Sequence, residues 1–598
     1  MANRKLLLTG VAGLGLLASA MALAQDRPDS LLPPGFDEPP PPPQPAPRPQ
    51  PQPQPRPVPP VEQEPDADAN GEDEEAADLS LADIEGNVLV ESEDVSSDDE
   101  LTLPNAGHAS AMFDRDAFAG APGPVIVQWM RGLQLPLASR WGHIALRNAV
   151  LAGSVAPNGV SDSDWLAERA WLLVRMGEAD AARLLLSPVP TRRYNEKLSQ
   201  VALQVALATS DPGAMCPIPS SLDDAEPRAA NLVEAFCEAL VGTPELAGEA
   251  VRRERRRGRV GGIDLSLADK LIGAGAGTGR SASIEWEQAD RLTSWRYGLA
   301  TATGITIPQR LMADALPRVH AWYARAPLID PEQRLSSARI AAGMGVLSGQ
   351  AMVNFHALTY RGVDVDALGG SIPFQLRRAF VGDDIGERLT AMRTLWTDAG
   401  QDELARMGAL VTTARAAALV RPDDELASDA GNLIASLLTS GYEQRVMRWT
   451  GAIAAMDEDE ADSGWAQLAL ASPTATNLDL SEGRIRDFLG RHEDEPRKGA
   501  LLVAGLAALG RIDAPLLAEL DGDYDLGILR QSNATRLMDR AGGTGSDGMT
   551  VMLAAVLMQG DSVGHVAPRY FYIVVKALRT SGNPFLARMV AAEALGRL

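Results

Sequence analysis

The two cysteines are the residues whose chemistry the sequence defines best. Cys216 and Cys237 are the only cysteines in the chain, and no C-x-x-C redox motif is present. An even number of cysteines in an oxidising compartment predicts a structural disulfide, which would close a short loop and contribute about 3 kcal/mol in the chain-entropy model. The alternative is a pair of buried free thiols.

A run of arginines is the second candidate site. The run RRERRRGR contributes six guanidinium groups, those of Arg252, Arg253, Arg255, Arg256, Arg257 and Arg259. It lies near a predicted helix C-terminus, where cations favour the helix macrodipole. One interpretation is a solvated helix end. The other is a docking face for an anionic partner, which could be lipid headgroups, an acidic envelope polymer or this chain's own acidic segment.

Several motifs resemble catalytic or ligand sites but are incomplete. The stretch GAGAGTGRS at residues 273–281 lacks the first glycine and the lysine of a phosphate-binding loop, and we expect a flexible loop there. Around Ser546, Thr544 replaces the first glycine of a nucleophile elbow. The six histidines show no metal-binding spacing. We therefore predict no catalytic residue, no cofactor and no metal ligand. A nucleic-acid partner is not expected, because no basic stripe interleaves with aromatic residues.

The first 24 residues have the pattern of a signal peptide. Arg4 and Lys5 form a charged start, an apolar stretch follows, and the small residues Ala22 and Ala24 fit a cleavage site. We therefore expect a periplasmic or secreted protein that begins at Gln25. The alternative is a retained signal acting as an anchor. Membrane contact is expected only through such an uncleaved signal or through the arginine run.

Two segments of unusual composition follow. Residues 25–65 form a proline-rich linker, for which a polyproline II spacer is expected. Residues 66–102 are acidic: fifteen Asp and Glu lie between Asp66 and Glu100, with no Lys or Arg. They account for 15 of the 24 net negative charges, so the rest of the chain carries −9. Low hydrophobicity and self-repelling charge predict a disordered N-terminal region.

The body of the chain has a helical pattern. Alanine and leucine dominate and β-branched runs are scarce, which predicts an all-α fold. The clearest unit is SDSDWLAERAWLLVRMGEADAARLLLSPVP at residues 161–190. Ser161 or Asp162 can cap its first helix, Gly177 separates two apolar stripes, and Pro188 ends the second. This pattern predicts an αα-hairpin.

Related phrases recur along the body. Gly177 and Gly242 are 65 residues apart, which is two units of about 32 or 33 residues with a middle break at Ser210. Similar breaks occur at Gly345, Gly400, Gly510 and Gly582. The spacing predicts degenerate αα-hairpin repeats forming an α-solenoid or superhelical array, in two helical repeat domains at 103–330 and 331–598. The alternative is an irregular helical globule.

The phrase WLLVRMGEADAARLLL resembles tetratricopeptide-type repeats. The stretch FCEALVGTPELAGEA resembles exported α-helical repeat proteins of Gram-negative bacteria, which carry a signal, a proline-rich linker and degenerate repeats in this order. The resemblance implies an architecture and no particular activity.

Together these features predict an exported non-enzymatic scaffold, or protein-interaction module, of the cell envelope. It would bind one or more partner proteins through a helical-repeat surface. The alternative is a cell-envelope enzyme acting on wall polymer or glycan, with a site assembled from dispersed carboxylates. A scaffold should show an apolar or arginine-lined surface, whereas an enzyme should show paired carboxylates in a cleft.

Overall fold

The computed structural model describes residues 106–598, except 108–109, 111, 121, 138, 219–221, 223–225, 259, 278–282, 475–476, 545–546 and 561. The expected signal peptide (1–24), proline-rich linker (25–65) and acidic segment (66–102), together with Arg259, lie outside the described residues. The described residues form an all-α protein, in which an isolated bridge joins Leu137 and Gln559. Among these described helices, none has the length and apolarity to cross a membrane.

The helices of the first half are short to medium in length. They are α1 Gly123–Gly132, α2 Arg140–Leu151, α3 Asp162–Arg175, α4 Ala179–Leu186, α5 Glu196–Ala208, α6 Pro227–Leu240, α7 Pro244–Arg257, α8 Gly262–Gly275, α9 Ser294–Ala302, α10 Gln309–Ala313 and α11 Pro317–Tyr323. The end of α8 includes Gly273 to Gly275, so the expected loop at 273–281 is wrong for its first three residues.

The second half continues in the same manner. Its helices are α12 Pro331–Met344, α13 Gly349–Tyr360, α14 Ile372–Val381, α15 Ile385–Asp398, α16 Glu403–Ala417, α17 Ala427–Thr439, α18 Glu443–Val446, α19 Thr450–Ile453, α20 Glu458–Ala471, α21 Glu482–Arg491, α22 Pro496–Ala508, α23 Ala514–Asp523, α24 Asn533–Gly543, α25 Asp547–Leu557, α26 Pro568–Thr580 and α27 Pro584–Arg597.

The hairpin predicted for residues 161–190 is confirmed in its start, break and end. Ser161 is the N-cap of α3, and its hydroxyl accepts a hydrogen bond from the Asp164 N–H at 3.2 Å. Gly177 lies in the left-handed region, with φ of 83°. The Gly177 N–H donates to the Val174 carbonyl, and the Glu178 N–H donates to the Leu173 carbonyl. This pair of bonds is the Schellman pattern, which reverses the chain after α3.

The middle break of the repeat uses the same turn without a glycine. Ser210 has a φ of 54°, and its N–H donates to Leu207, while the Asp211 N–H donates to Ala206. The Ser210 hydroxyl lies 2.7 Å from the Thr301 hydroxyl. A left-handed non-glycine residue is uncommon, and this hydrogen bond helps to hold it in place.

The largest of three hydrophobic clusters among the described residues runs through the body. It includes Ala106 near one end, Leu595 near the other, and residues from both expected domains. Helices α11 and α12, on either side of the expected boundary at 330/331, pack against each other. The ranges 103–330 and 331–598 therefore share a core, because their helices bury apolar faces on one another.

The two ends of the body also meet. Helix α2 packs against α25 and α27, and α27 also contacts α17, α20, α22 and α26. Every side chain of α27 from Leu586 to Leu595 except Arg588 is buried, because α27 packs against several helices. Stacked helix pairs are compatible with a solenoid, but repeats of an open solenoid contact only their neighbours. The contact of α2 with α27 is additional to that pattern.

Candidate functional site

The disulfide joins α6 to the turn that follows α5. The Cα atoms of Cys216 and Cys237 are 5.5 Å apart and their sulfur atoms are bonded. Cys237 lies within α6, and Cys216 directly follows the 3₁₀ turn Pro212–Met215. The bond therefore anchors α6, which leads directly into the arginine-bearing helix α7.

The turn between α6 and α7 is tight. Gly242 has a φ of 95°, and the Thr243 N–H donates to the Glu238 carbonyl at 3.0 Å. Pro244 occupies the first position of α7, where its missing N–H costs nothing. Thr243 holds the N-cap position, but its hydroxyl donates to the Glu238 carbonyl at 2.8 Å instead of capping α7. The Thr243 side chain therefore links the turn to the end of α6.

Small residues fix which side of α7 faces inward. Ala247, Gly248, Ala250 and Val251 are buried where α7 packs against α6 and α8. Glu254 is also buried, and its carboxylate contacts the Arg257 guanidinium at 3.1 Å. Because small side chains allow close packing on the inward side, the arginine side chains of α7 lie on the outward side.

The outward side of α7 carries a concentration of positive charge, which we call the Arg face. It consists of the exposed residues Arg252, Arg253, Arg255, Arg256 and Arg257. Arg257 pairs with Glu254, whereas the other four have no hydrogen bond or ion pair with any described residue. Gly258, with a φ of 62°, ends the helix. The helix C-terminus tolerates these cations because its carbonyl groups carry partial negative charge.

Three exposed apolar side chains lie at the other end of the same hairpin, and we call them the apolar tip. Leu240, Val241 and Leu246 are 48%, 78% and 54% exposed. Leu246 and Arg253 are seven residues apart on one stripe of α7, a distance of about 10 Å along the axis. Glu249, also exposed, lies between them. The hairpin therefore presents apolar side chains beside guanidinium groups on one surface.

Several buried charges elsewhere in the body form ion pairs, and these contacts hold helices together. Asp264 in α8 receives two hydrogen bonds from Arg296 in α9, at 3.0 and 3.1 Å. Asp462 in α20 contacts Arg484 at 2.7 Å and Arg491 at 2.8 Å. Such buried pairs maintain the packing geometry of the helices that carry them.

Glu178 is a buried carboxylate near α2. It contacts the His143 imidazole at 3.1 Å and the Arg147 guanidinium at 3.2 Å. Burial alone would raise the pKa of Glu178, but Arg147 and the hydrogen bond with His143 outweigh it and lower this pKa. Burial also lowers the pKa of His143. The group joins α2 to the turn between α3 and α4.

Two clefts between the described helices are small. One of about 50 Å³ lies between α15, α16, α17 and α27, beside Trp396, Glu403 and Arg597. Binding sites for small molecules usually enclose about 300 to 1,000 Å³. Glu403 is bonded to Arg597 at 2.9 Å. Within the described ranges, no group of three His, Cys, Asp or Glu side chains is arranged to hold a metal ion.

Comparisons of the chain with protein-family models, with curated proteins and with solved structures found no match. The candidate site therefore rests on geometry. The structure brings the two predicted cysteines together and exposes the predicted arginines of α7. Sequence reasoning missed the apolar tip, although the run ALVG before Thr243 is more apolar than a surface turn requires.

Proposed function

We propose that this protein is an exported, non-enzymatic scaffold that binds a partner protein of the cell envelope through the α6–α7 hairpin. The observation that carries the proposal is the apolar tip lying beside four arginines that lack partners among the described residues. Protein interfaces favour arginine and apolar anchors that are buried together. The Arg face and the apolar tip combine both on one hairpin.

Export is the second part of the proposal, and it is supported by the sequence. The charged start, apolar stretch and small residues before Gln25 match a secretory signal. A disulfide between Cys216 and Cys237 agrees with an oxidising compartment, where such bonds persist. Mass spectrometry of the mature N-terminus tests this part, and a chain that starts before Gln25 would refute cleavage there.

The chemistry of the hairpin defines the partner. Guanidinium groups recognise carboxylates through paired hydrogen bonds, and a leucine or valine side chain gains free energy when it leaves water. The expected partner is therefore a protein surface that presents acidic residues around an apolar patch. A purely anionic polymer would satisfy the Arg face but leave the apolar tip in water.

A site-specific crosslinking experiment tests the proposed surface. A photoreactive residue replaces Val241 in the full chain inside cells, and crosslinked proteins are identified by mass spectrometry. Val365 is the matched control, because this valine is 82% exposed but lies between α13 and α14. We expect a discrete acidic partner from position 241 and none from position 365. Equal products from both positions would contradict the proposal.

A pair of charge variants makes the test specific to the Arg face. One variant changes Arg252, Arg253, Arg255 and Arg256 to glutamine. The control changes four exposed arginines elsewhere that also lack partners among the described residues, namely Arg361, Arg415, Arg421 and Arg540. Both variants remove four charges. The proposal requires the crosslink from position 241 to fall at least five-fold in the first variant and to persist in the control.

A further inference from the structure

We infer that the acidic segment Asp66–Glu100 of this same chain occupies the Arg face and the apolar tip, and that a partner must displace it. The inference concerns the occupant of the surface described above and rests on the proposed function only in naming that surface as the partner site. It is supported by charge, by apolar composition and by the length of the connecting chain.

Charge directs the segment to the Arg face. The segment carries fifteen carboxylates and no cation, and the rest of the chain still carries −9. A net-negative body repels such a segment over most of its surface. The end of α7 is an exception, because four exposed guanidinium groups there lack partners among the described residues. The attraction is therefore local to α7.

The apolar residues of the segment match the apolar tip. Between Asp78 and Glu91 the sequence DLSLADIEGNVLVE places Leu79, Leu81, Ile84, Val88, Leu89 and Val90 among carboxylates. A merely solubilising acidic tail has no need of these side chains. The tip supplies exposed Leu240, Val241 and Leu246, of which Leu246 lies about 10 Å along the α7 axis from Arg253. The segment thus carries both chemistries that the hairpin offers.

The connecting chain is long enough to reach. Sixteen residues separate Val90 from Ala106, where the described body begins, and they span up to about 53 Å when extended. A body of this length has a radius of gyration of about 23 Å. Attachment to the same chain also gives the segment an effective concentration on the order of millimolar. Contacts that would be weak between separate molecules can therefore be populated.

The contact should be weak for each ion pair and sensitive to salt. Exposed pairs contribute little individually, and charges in 0.15 M salt are screened beyond about 8 Å. Occupation therefore depends on several arginines acting together. This dependence allows a partner with a better-packed apolar patch to displace the segment.

The test uses the full mature chain, purified without any partner. A photoreactive residue replaces Leu89, and its crosslinks are mapped by mass spectrometry. We expect most crosslinks at residues 240–257, with a yield that falls at least five-fold between 0.05 M and 0.5 M salt. We also expect an at least five-fold loss when Arg252, Arg253, Arg255 and Arg256 become glutamine. The control variant at Arg361, Arg415, Arg421 and Arg540 should crosslink normally.

Two results would overturn the inference. One is a spread of crosslinks over the body that is the same in both arginine variants. The other is an unchanged yield when Asp78, Asp83, Glu85 and Glu91 are changed to Asn or Gln in the full chain. Either result can occur while the partner crosslink from position 241 persists, in which case the proposed function stands without this occupant. If Leu89 crosslinks to the hairpin and position 241 captures no partner, the proposed function fails and the inference stands.

Discussion

The backbone N–H of Arg140 donates a hydrogen bond to the carboxylate of Glu593, which lies 453 residues further along the chain, at 3.2 Å. The same carboxylate oxygen accepts a hydrogen bond from Arg597 at 2.7 Å. Arg140, Glu593 and Arg597 are all buried. One carboxylate therefore joins the start of α2 to the end of α27, and this contact closes the helical body on itself.

Substituting Glu593 with alanine should be strongly destabilising. The change removes one of the two carboxylates that contact the buried Arg597, the other being Glu403, and also removes the Glu593 acceptor of the Arg140 N–H. The loss of these charged hydrogen bonds should cost about 1.5 to 3 kcal/mol. Urea unfolding followed by circular dichroism measures the effect. The control is Glu482→Ala, because Glu482 is half exposed and pairs with Arg486 on the surface. A loss from Glu593→Ala no larger than that of the control would contradict the prediction.

Two glycine substitutions separate conformational cost from steric cost. Gly177 and Gly242 have similar φ angles of 83° and 95°. A Cβ on Gly177 would lie 2.7 Å from the Ala321 Cβ, whereas one on Gly242 would meet nothing within 4 Å. Gly242→Ala should cost about 1 kcal/mol from the left-handed backbone alone. Gly177→Ala should cost clearly more in the same unfolding assay, and equal losses would refute the steric argument.

The disulfide should matter for stability because it closes a short loop. Cys216 and Cys237 are 21 residues apart, and the chain-entropy model assigns such a loop about 3 kcal/mol. The double variant Cys216→Ser/Cys237→Ser should therefore unfold at lower urea concentration than the oxidised protein. Treating the oxidised protein with a reductant should give a similar shift. Reductant should leave the double variant unchanged, which controls for other effects of the reagent.

Local structure was the part of the fold that the sequence predicted well. Ser161, Gly177 and Pro188 mark the start, break and end of the α3–α4 hairpin, because capping and left-handed turns depend on residues within one helical turn. The all-α fold class followed from composition, because helix propensity is also a local property of the residues. Thr243 holds the N-cap position of α7, but its hydroxyl bonds to the Glu238 carbonyl instead of capping the helix. The acceptor of the Thr243 hydroxyl depends on how α7 packs against α6, which the local sequence pattern does not specify.

Stability should fall as the solution becomes mildly acidic, because His356 is buried in α13. Burial, together with a smaller effect of the nearby Arg339, lowers the pKa of His356 to about 4. In the unfolded chain the pKa of this histidine is about 6.5. Between the two pKa values the unfolded state therefore binds more protons than the folded state, and the free energy of unfolding decreases as the pH falls. This difference in pKa should lower the free energy of unfolding by about 2 kcal/mol between pH 7 and pH 5. The stability of His356→Leu should depend less on pH, and an unchanged pH profile would contradict this assignment.

Long-range closure was the part of the fold that the sequence did not predict. Arg140 and Glu593 are ordinary helix residues in their local sequence, and no spacing rule connects them. Most side chains of α27 are apolar, which indicates a buried helix, but this pattern does not specify that α2 packs against it. The apolar tip was missed for a related reason, since exposure of Val241 depends on which side of α7 the body covers.

The closure predicts that α2 and α27 open together. Met589 is fully buried in α27, and its replacement by alanine should cost about 2 to 5 kcal/mol. Hydrogen exchange would then quicken at least ten-fold in α27 and also in α2, although the two helices are more than 400 residues apart. An open solenoid predicts the opposite, since its terminal repeats are stabilised only by their neighbours. The control is Leu271→Ala in α8, which should quicken exchange in α6 to α8 more than in α2. If Met589→Ala leaves exchange in α2 unchanged, then the contacts of Arg140 and Trp141 with the second half contribute little, and the body behaves as an open array.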